Sequence, residues 1–205
     1  MGRVVSFGCS YTYGHGLTDC HIPVNLPGYE YSRYAWPTLL GNMLGCETIN
    51  LSKPSSSNIH LLWKILNFQF QHDDICVVMW THFHRHPYSN LKNNSEIVAW
   101  DDYDTMRVQL VETEKENLII RNYITINHAY TWLKQNKINC YFISGTRDIK
   151  DYKCPEILTV PNLFDTIHLP NMMCDLALDK RHPGHKTHEN IAKKLFDNIN
   201  TESQG

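Results

Sequence analysis

Residues 4–16 read VVSFGCSYTYGHG, a short apolar run that stops at a glycine and continues into small and polar residues. The β-branched and aromatic run predicts a first strand over residues 3–7. Glycine lets a chain turn sharply and lets another molecule approach the backbone closely. Ser10 comes shortly after the carboxyl end of the predicted strand. In parallel α/β sheets, ligands bind at the carboxyl ends of the strands.

Short apolar runs then alternate with longer segments of helical period. We predict further strands over 48–51, 75–80, 139–144 and 166–169, and helices over 34–44, 57–70, 118–135 and 183–199. Residues 75–80 are apolar without interruption, as expected for a strand covered on both faces. The alternation predicts a parallel sheet between two layers of helices.

Length and composition indicate one domain over residues 1–205, with no internal repeat. Residues 86–116 are polar and lack a clear period, so we expect an insertion over the edge of the sheet. The net charge is −2 and Lys and Arg are not clustered, which argues against nucleic acid as a partner. No apolar run approaches the ~20 residues that span a bilayer, so no membrane partner is expected either.

The seven cysteines are scattered and form no CxxC pair, which favours reduced thiols. The amino terminus shows no secretory signal pattern. Together these features predict a cytoplasmic protein. The sequence does not indicate an oligomeric state.

A second polar stretch, DLALDKRHPGH, occupies residues 175–185. The spacing of Asp179 and His182 suits a carboxylate that accepts from one imidazole nitrogen while the other nitrogen faces a serine. A serine nucleophile needs both a base and a group that orients the base. In the simpler alternative, Asp179 caps the last helix and His182 is a surface histidine.

Together the two stretches resemble the SGNH (GDSL-like) hydrolase family. The first family block, Gly-Asp-Ser-x-Thr-x-Gly, is matched by residues 8–14 with Cys9 at the Asp position. The last block, Asp-x-x-His-Pro, is intact at residues 179–183. The second block, Asn-x-Gly-x-x-Gly, corresponds to residues 50–55 with serines at both glycine positions. The third, Gly-x-Asn-Asp, corresponds to residues 79–82 with Thr81 at the Asn position.

This resemblance implies a three-layer α/β/α sandwich with a five-stranded parallel sheet, similar to flavodoxin. It implies Ser10 as nucleophile, His182 as general base and then acid, and Asp179 as the residue that orients His182. Cys9 is the alternative nucleophile. The implied reaction is hydrolysis of a small acyl ester without a cofactor or metal. The substrate is a small molecule or a glycan, and an O-acetylated carbohydrate is the leading candidate.

The oxyanion hole of the family combines the backbone N–H of the serine, that of the second-block glycine, and the third-block Asn side chain. Here the resemblance leaves the N–H groups of Ser10 and Ser55, with the Thr81 hydroxyl or the Asn58 amide as a replacement for the missing Asn. Losing one such donor costs ~10²–10³ in rate. A weak or inactive relative that serves as a binding or structural module is therefore the alternative function.

Several aromatic residues are expected near the mouth of the site, where they would stack on sugar rings or fill the core: Tyr11, Tyr13, Tyr29, Tyr31, Tyr34 and Trp80. We predict that Tyr11, Trp80 and Arg85 bind substrate. The alternative for Arg85 is a salt bridge to the acidic residues of 101–104. The Trp-Thr third block followed by Arg85 is similar to family members from phage genomes, which suggests a phage-infected bacterial cell as one setting.

Two sets of histidines leave a metal-dependent hydrolase open as a third alternative. Alternate histidines would share one face of an extended segment, and histidines three residues apart would lie near one helix. The sets are His82, His84 and His86, and His182, His185 and His188.

Overall fold

The computed structural model describes residues 2–20, 30–83, 85, 87–89, 97–99, 112–146 and 167–202. The strands are β1 (Val4–Phe7), β2 (Thr48–Asn50), β3 (Ile75–Trp80), β4 (Pro87–Ser89), β5 (Ile97–Ala99), β6 (Asn139–Ser144) and β7 (Ile167–His168). The helices are α1 (Ser10–Tyr13), α2 (Trp36–Leu44), α3 (Asn58–Asn67), α4 (Glu112–Gln135), α5 (Leu169–Met172) and α6 (His185–Glu202).

Five of the strands form one parallel sheet in the order β2-β1-β3-β6-β7. Strand β1 lies between β2 and β3, with Ser6 opposite Asn50 on one side and Val77 on the other. The five-stranded parallel sheet predicted from the sequence is confirmed. Strands β3 and β6 begin and end at the predicted residues.

Alternate residues of the strands enter two separate cores, one on each face of the sheet. Val5, Val78 and Trp80 pack in the core that includes residues of α3 and α4. Val4, Val77 and Met79 pack in the core that includes residues of α2 and α6. The sheet is therefore covered by helices on both faces, which is the predicted three-layer arrangement.

All four predicted helices begin at a residue other than the predicted one. Helix α2 begins at Trp36 instead of residue 34, and the other three starts each have a local reason. Helix α3 begins after Ser57, whose Oγ accepts from the backbone N–H of His60 at 3.4 Å. Helix α6 begins at His185 rather than at residue 183, because Pro183 pairs with Leu176 in an isolated bridge. Helix α4 begins at Glu112, six residues before the prediction, because its polar first turns carry no apolar period.

The insertion expected over residues 86–116 contains an antiparallel pair, with Pro87 opposite Ala99 and Ser89 opposite Ile97. The remainder of that segment lies outside the described residues, apart from the start of α4. Six cysteines lie in the described part of the chain, and all six are free thiols. Among the described helices, none is long and apolar enough to cross a membrane.

Candidate active site

The carboxyl ends of β2, β1 and β3 lie side by side, and the loops that follow them are tied together. The backbone N–H of Lys53 donates to Gly8 O at 3.1 Å. The side-chain amide of Asn50 donates to Thr12 O at 3.2 Å. The loop after β2 is thereby fixed against the turn that carries Ser10, as expected for one site at this edge of the sheet.

Ser10 is the first residue of α1, a single turn that follows β1 after two residues. Its carbonyl accepts from the N–H groups of Gly14 and His15 at 3.1 and 3.0 Å. Gly14 ends the turn with a φ of +80°. Cys9 precedes Ser10 and is buried. The sharp turn between strand and helix therefore places Ser10 at the end of the central strand of three.

Asp179 and His182 form a compact unit in the loop before α6. Asp179 Oδ1 accepts from the backbone N–H groups of Arg181 at 3.0 Å and His182 at 3.1 Å. Asp179 Oδ2 lies 2.5 Å from His182 Nδ1. Lys180 takes a left-handed conformation with a φ of +58°, which folds the loop back on itself. The spacing of the last motif thus produces the carboxylate–imidazole contact that the sequence predicted.

The charge state of Asp179 follows from these donors. Its side chain is 3% exposed. Burial acts to raise the pKa of Asp179, but the N–H groups of Arg181 and His182 and the imidazole of His182 outweigh it and hold that pKa below its ordinary value. An ionised Asp179 accepts the Nδ1 proton of His182, which leaves Nε2 of the neutral ring as a proton acceptor.

The turn that carries Ser10 packs directly against this unit. The Tyr11 ring meets the His182 ring edge-on with centroids 5.4 Å apart. The backbone N–H of Leu178 donates to Gly16 O at 3.0 Å. A Cβ on Gly16, which has a φ of +84°, would lie 2.8 Å from the Asp179 carboxyl. Among the described residues no hydrogen bond joins Ser10 Oγ to His182.

His15 also belongs to the site, although the sequence did not single it out. Its ring stacks on His182 with centroids 4.5 Å apart, and its Nε2 lies 3.8 Å from Asp179 Oδ2. His15, Asp179 and His182 offer ligand atoms within 4.8 Å of one another, a set that can hold a metal ion. The signal available in the sequence was that His15 lies between Gly14 and Gly16, directly after the first block.

The histidines near the start of α6 do not converge on one point. His188 is buried and its Nδ1 accepts from the backbone N–H of Trp36 at 3.0 Å. His185 Nε2 lies 3.2 Å from Thr18 Oγ1. The metal set built on His182, His185 and His188 is therefore wrong. In the other set, His82 is half-buried, while His84 and His86 lie outside the described residues.

The candidate oxyanion donors differ in what they contact. Ser55 holds a left-handed φ of +63° at the second-block glycine position, so the turn forms despite the side chain. Asn58 Nδ2 donates to Thr81 O at 3.1 Å and to Asn122 Oδ1 at 2.8 Å, while its Oδ1 accepts from Thr81 N at 2.8 Å. Because both amide hydrogens of Asn58 are engaged, the expectation that Asn58 donates to an oxyanion needs correction.

The predicted substrate-binding residues are separated by the fold. Trp80 is fully buried and packs edge-on against Phe142 at 5.3 Å, so its assignment as a substrate contact is corrected to a core residue. Tyr11 is half-buried beside His182. Arg85 donates from Nη1 to Thr81 Oγ1 at 2.8 Å and to Ser56 O at 3.4 Å. Its alternative partners in 101–104 lie outside the described residues.

The other aromatic candidates occupy different surroundings. Tyr13 is half-buried, and Tyr31 is 40% exposed. Tyr34 packs edge-on against His185 at 5.0 Å. Tyr29 lies outside the described residues.

Solved structures similar to this chain include esterases and a lipolytic protein. A carbohydrate esterase matches with a TM-score of 0.58 and 14% identity over 98% of this chain. A G-D-S-L family lipolytic protein from Desulfitobacterium hafniense matches with a TM-score of 0.51 and 15% identity, over 96% of this chain and 99% of its own. Est24, a carbohydrate acetylesterase from Sinorhizobium meliloti, matches with a TM-score of 0.53 and 11% identity, over 98% and 99%.

This chain spans only 65% of the length of the first of these proteins. No protein-family model and no curated protein matches the sequence. At these identities the likeness shows the fold alone. The chain has an SGNH/GDSL-like hydrolase fold, as its motifs predicted.

Proposed function

We propose that this chain is a serine esterase in which Ser10, His182 and Asp179 form the catalytic triad. The observation that carries the proposal is the 2.5 Å contact between Asp179 Oδ2 and His182 Nδ1, in a loop that packs on the turn of Ser10. That contact orients the imidazole ring through Nδ1 and leaves Nε2 for a serine proton. The fold shared with solved esterases agrees with this chemistry.

The reaction proceeds in two steps of acyl transfer. Ser10 Oγ bonds to the ester carbonyl carbon, its proton passes to His182 Nε2, and the carbonyl electron pair moves onto oxygen. The oxyanion collapses, the bond to the alcohol oxygen breaks, and that oxygen leaves with the proton from His182. Water then attacks the acyl-serine and gives a proton to His182. Ser10 Oγ departs, regains that proton and releases the acid.

The proposed substrate is a small acyl ester, with an O-acetylated carbohydrate as the leading candidate. Tyr11 lies beside His182 and is half-buried, which supports a role in stacking on a sugar ring. Two of the similar structures are a carbohydrate esterase and a carbohydrate acetylesterase. They support a carbohydrate ester without identifying which sugar carries it.

A metal-dependent hydrolase is the second candidate, and the cluster of His15, Asp179 and His182 favours it. Two imidazoles and one carboxylate with an open position are a ligand set that zinc uses in catalytic sites. In that case activity would depend on the metal and not on Ser10. A binding module without turnover is the third candidate, favoured by the loss of the third-block Asn.

A panel of p-nitrophenyl esters and acetylated sugars separates the three candidates. We expect turnover of short acyl esters that Ser10→Ala and His182→Ala abolish, that Asp179→Asn lowers somewhat less, and that dialysis against EDTA leaves unchanged. His185→Gln is the matched control, because it removes a neighbouring histidine outside the triad and should retain kcat. Loss of activity with EDTA and its return with zinc would favour the metal enzyme. Binding of an acetylated sugar without turnover would favour the binding module.

A further inference from the structure

Thr81 occupies the position that corresponds to the third oxyanion donor of the family. Its backbone is fixed by hydrogen bonds to a side chain. Both of its backbone groups are bonded to one side chain, since Asn58 Oδ1 accepts from Thr81 N and Asn58 Nδ2 donates to Thr81 O. Asn58 is itself bonded to Asn122 of α4, which also donates to Phe83 O at 2.9 Å. The segment after β3 is therefore fixed from two helices.

The hydroxyl of Thr81 is also fixed, by Arg85. Arg85 Nη1 lies 2.8 Å from Thr81 Oγ1. A guanidinium has only donors, so the hydroxyl oxygen must accept, and the hydroxyl hydrogen must point elsewhere. Thr81 is 1% exposed, so this hydrogen is not directed into bulk water. Donation by a cation strengthens the donor on the far side of the hydroxyl.

The position of this pair relative to Ser10 follows from the order of the strands. Ser56 lies in the loop after β2 and Thr81 directly after β3, and β1 lies between those two strands. Arg85 Nη1 contacts both Thr81 Oγ1 and Ser56 O, so the guanidinium spans the end of the strand that leads to Ser10. Thr81 and Arg85 therefore lie at the same edge of the sheet as the turn that carries Ser10.

We propose that Thr81 and Arg85 together replace the missing Asn amide of the oxyanion hole, with Thr81 Oγ donating to the oxyanion and Arg85 fixing and polarising that hydroxyl. This inference rests on the proposed esterase function. Thr81 is the residue that touches the reacting atoms, and Arg85 is a positioning residue that acts through it. Asn58 contributes by clamping the Thr81 backbone. The pair supplies a donor at a place where the family pattern alone would suggest a defective site.

We call this arrangement, in which Arg85 acts through the Thr81 hydroxyl, the relay. It predicts that the effects of substituting Thr81 and Arg85 on kcat are coupled. A double-mutant cycle on the best substrate of the ester panel tests this coupling. Thr81→Val should lower kcat by ~10²–10³ with little change in KM, because the donor acts on the transition state. Arg85→Met should lower kcat by roughly tenfold or more, again with KM nearly unchanged. In the Thr81→Val background, Arg85→Met should have almost no further effect, because its target hydroxyl is gone.

Three controls keep the cycle interpretable. Thr81→Ser retains the hydroxyl and should recover most of the activity that Thr81→Val loses. Arg33→Met removes an exposed arginine outside the site and should leave kcat unchanged. Melting temperatures of all variants separate lost folding from lost catalysis, and a Thr81→Ser variant that folds but stays inactive would contradict the relay.

The outcomes of the double-mutant cycle distinguish the relay from other roles of Thr81 and Arg85. Effects that multiply in the double variant would overturn the relay, because Arg85 and Thr81 would then act separately. A rise in KM alone for Arg85→Met would make Arg85 a direct substrate contact. Full activity of Thr81→Val would remove Thr81 from the oxyanion hole while leaving the esterase proposal intact. Absence of any Ser10-dependent turnover in the native chain would refute the esterase proposal, and the relay with it.

Discussion

His188 provides a quantitative test of how α6 packs against α2. The side chain is fully buried, and its Nδ1 accepts from the backbone N–H of Trp36, the first residue of α2. Because Nδ1 accepts, the ring is neutral and its proton lies on Nε2, which has no partner among the described residues. Burial, with a smaller contribution from His185, lowers the pKa of His188 from 6.5 to about 3.

The folded and unfolded chains take up a proton at His188 at different pH values. Below pH 6.5 the unfolded chain binds a proton at His188 that the folded chain does not bind until pH is near 3. The stabilisation is therefore fully present above pH 6.5 and is lost as pH falls. The slope is about 1.4 kcal/mol per pH unit. Between about pH 7 and about pH 5 the native protein should lose about 2 kcal/mol of unfolding free energy through this residue alone.

The assay is urea unfolding of the native chain and of His188→Asn over that pH range. Asn places an acceptor near the position of Nδ1 and does not titrate, so the variant keeps the bond to Trp36 without the pH dependence. We expect the free energy of unfolding to fall about 2 kcal/mol less in the variant than in the native chain. Parallel curves for the two proteins would refute the argument, because they would mean that His188 takes up its proton equally in both states.

Three further predictions concern the backbone and charge of the site. Gly16→Ala should lower both stability and kcat, because its Cβ would lie 2.8 Å from the Asp179 carboxyl. The control is Gly45→Ala, at a φ of +65° with nothing within 4 Å of the added Cβ. This variant should cost only ~1 kcal/mol of unfolding free energy and leave kcat unchanged. Equal kinetics for the two variants would contradict this placement of Asp179. Ser55→Gly should stabilise the chain by up to ~1 kcal/mol in thermal unfolding, since it relieves a left-handed residue with a side chain. A loss of stability would mean that the Ser55 side chain contributes more than its backbone costs. The pKa of Asp179 is held below its ordinary value, so its contribution to stability is present above about pH 4 and is lost as pH falls through the folded pKa. Acid unfolding followed by circular dichroism should therefore be less steep in Asp179→Asn, and an unchanged acid limb would contradict the shift.

Much of the fold was predictable because its central strands are apolar on both faces. The run that became β3 is apolar throughout, and β6 is apolar or aromatic between Asn139 and Ser144. The first and last residues of both strands were predicted correctly. Helix α1 was missed because one turn of SYTY is too short to show a period. The start of α4 was missed because its first residues are polar, and polar residues on an exposed helix give no periodic signal.

In the candidate site, contacts between residues close in sequence could be predicted, and contacts between residues distant in sequence could not. The contact of Asp179 with His182 spans three residues, so its spacing was visible in the sequence. The clamp of Asn58 on Thr81 spans 23 residues and depends on how α3 docks against the end of β3. Nothing in the sequence distinguishes an amide that faces a substrate from one that holds a backbone. Trp80 was assigned to the site because it lies at the end of β3. The alternation of side chains along β3 places it in the core instead.

Covalent labelling tests most directly whether Ser10 is the nucleophile. A serine-directed phosphonate should add its mass to the peptide that contains Ser10 in the native chain and in Cys9→Ala, and should add nothing in Ser10→Ala. His182→Ala should slow the labelling, because the serine proton then has no acceptor. Labelling that persists in Ser10→Ala, or that disappears in a folded Cys9→Ala, would contradict the account.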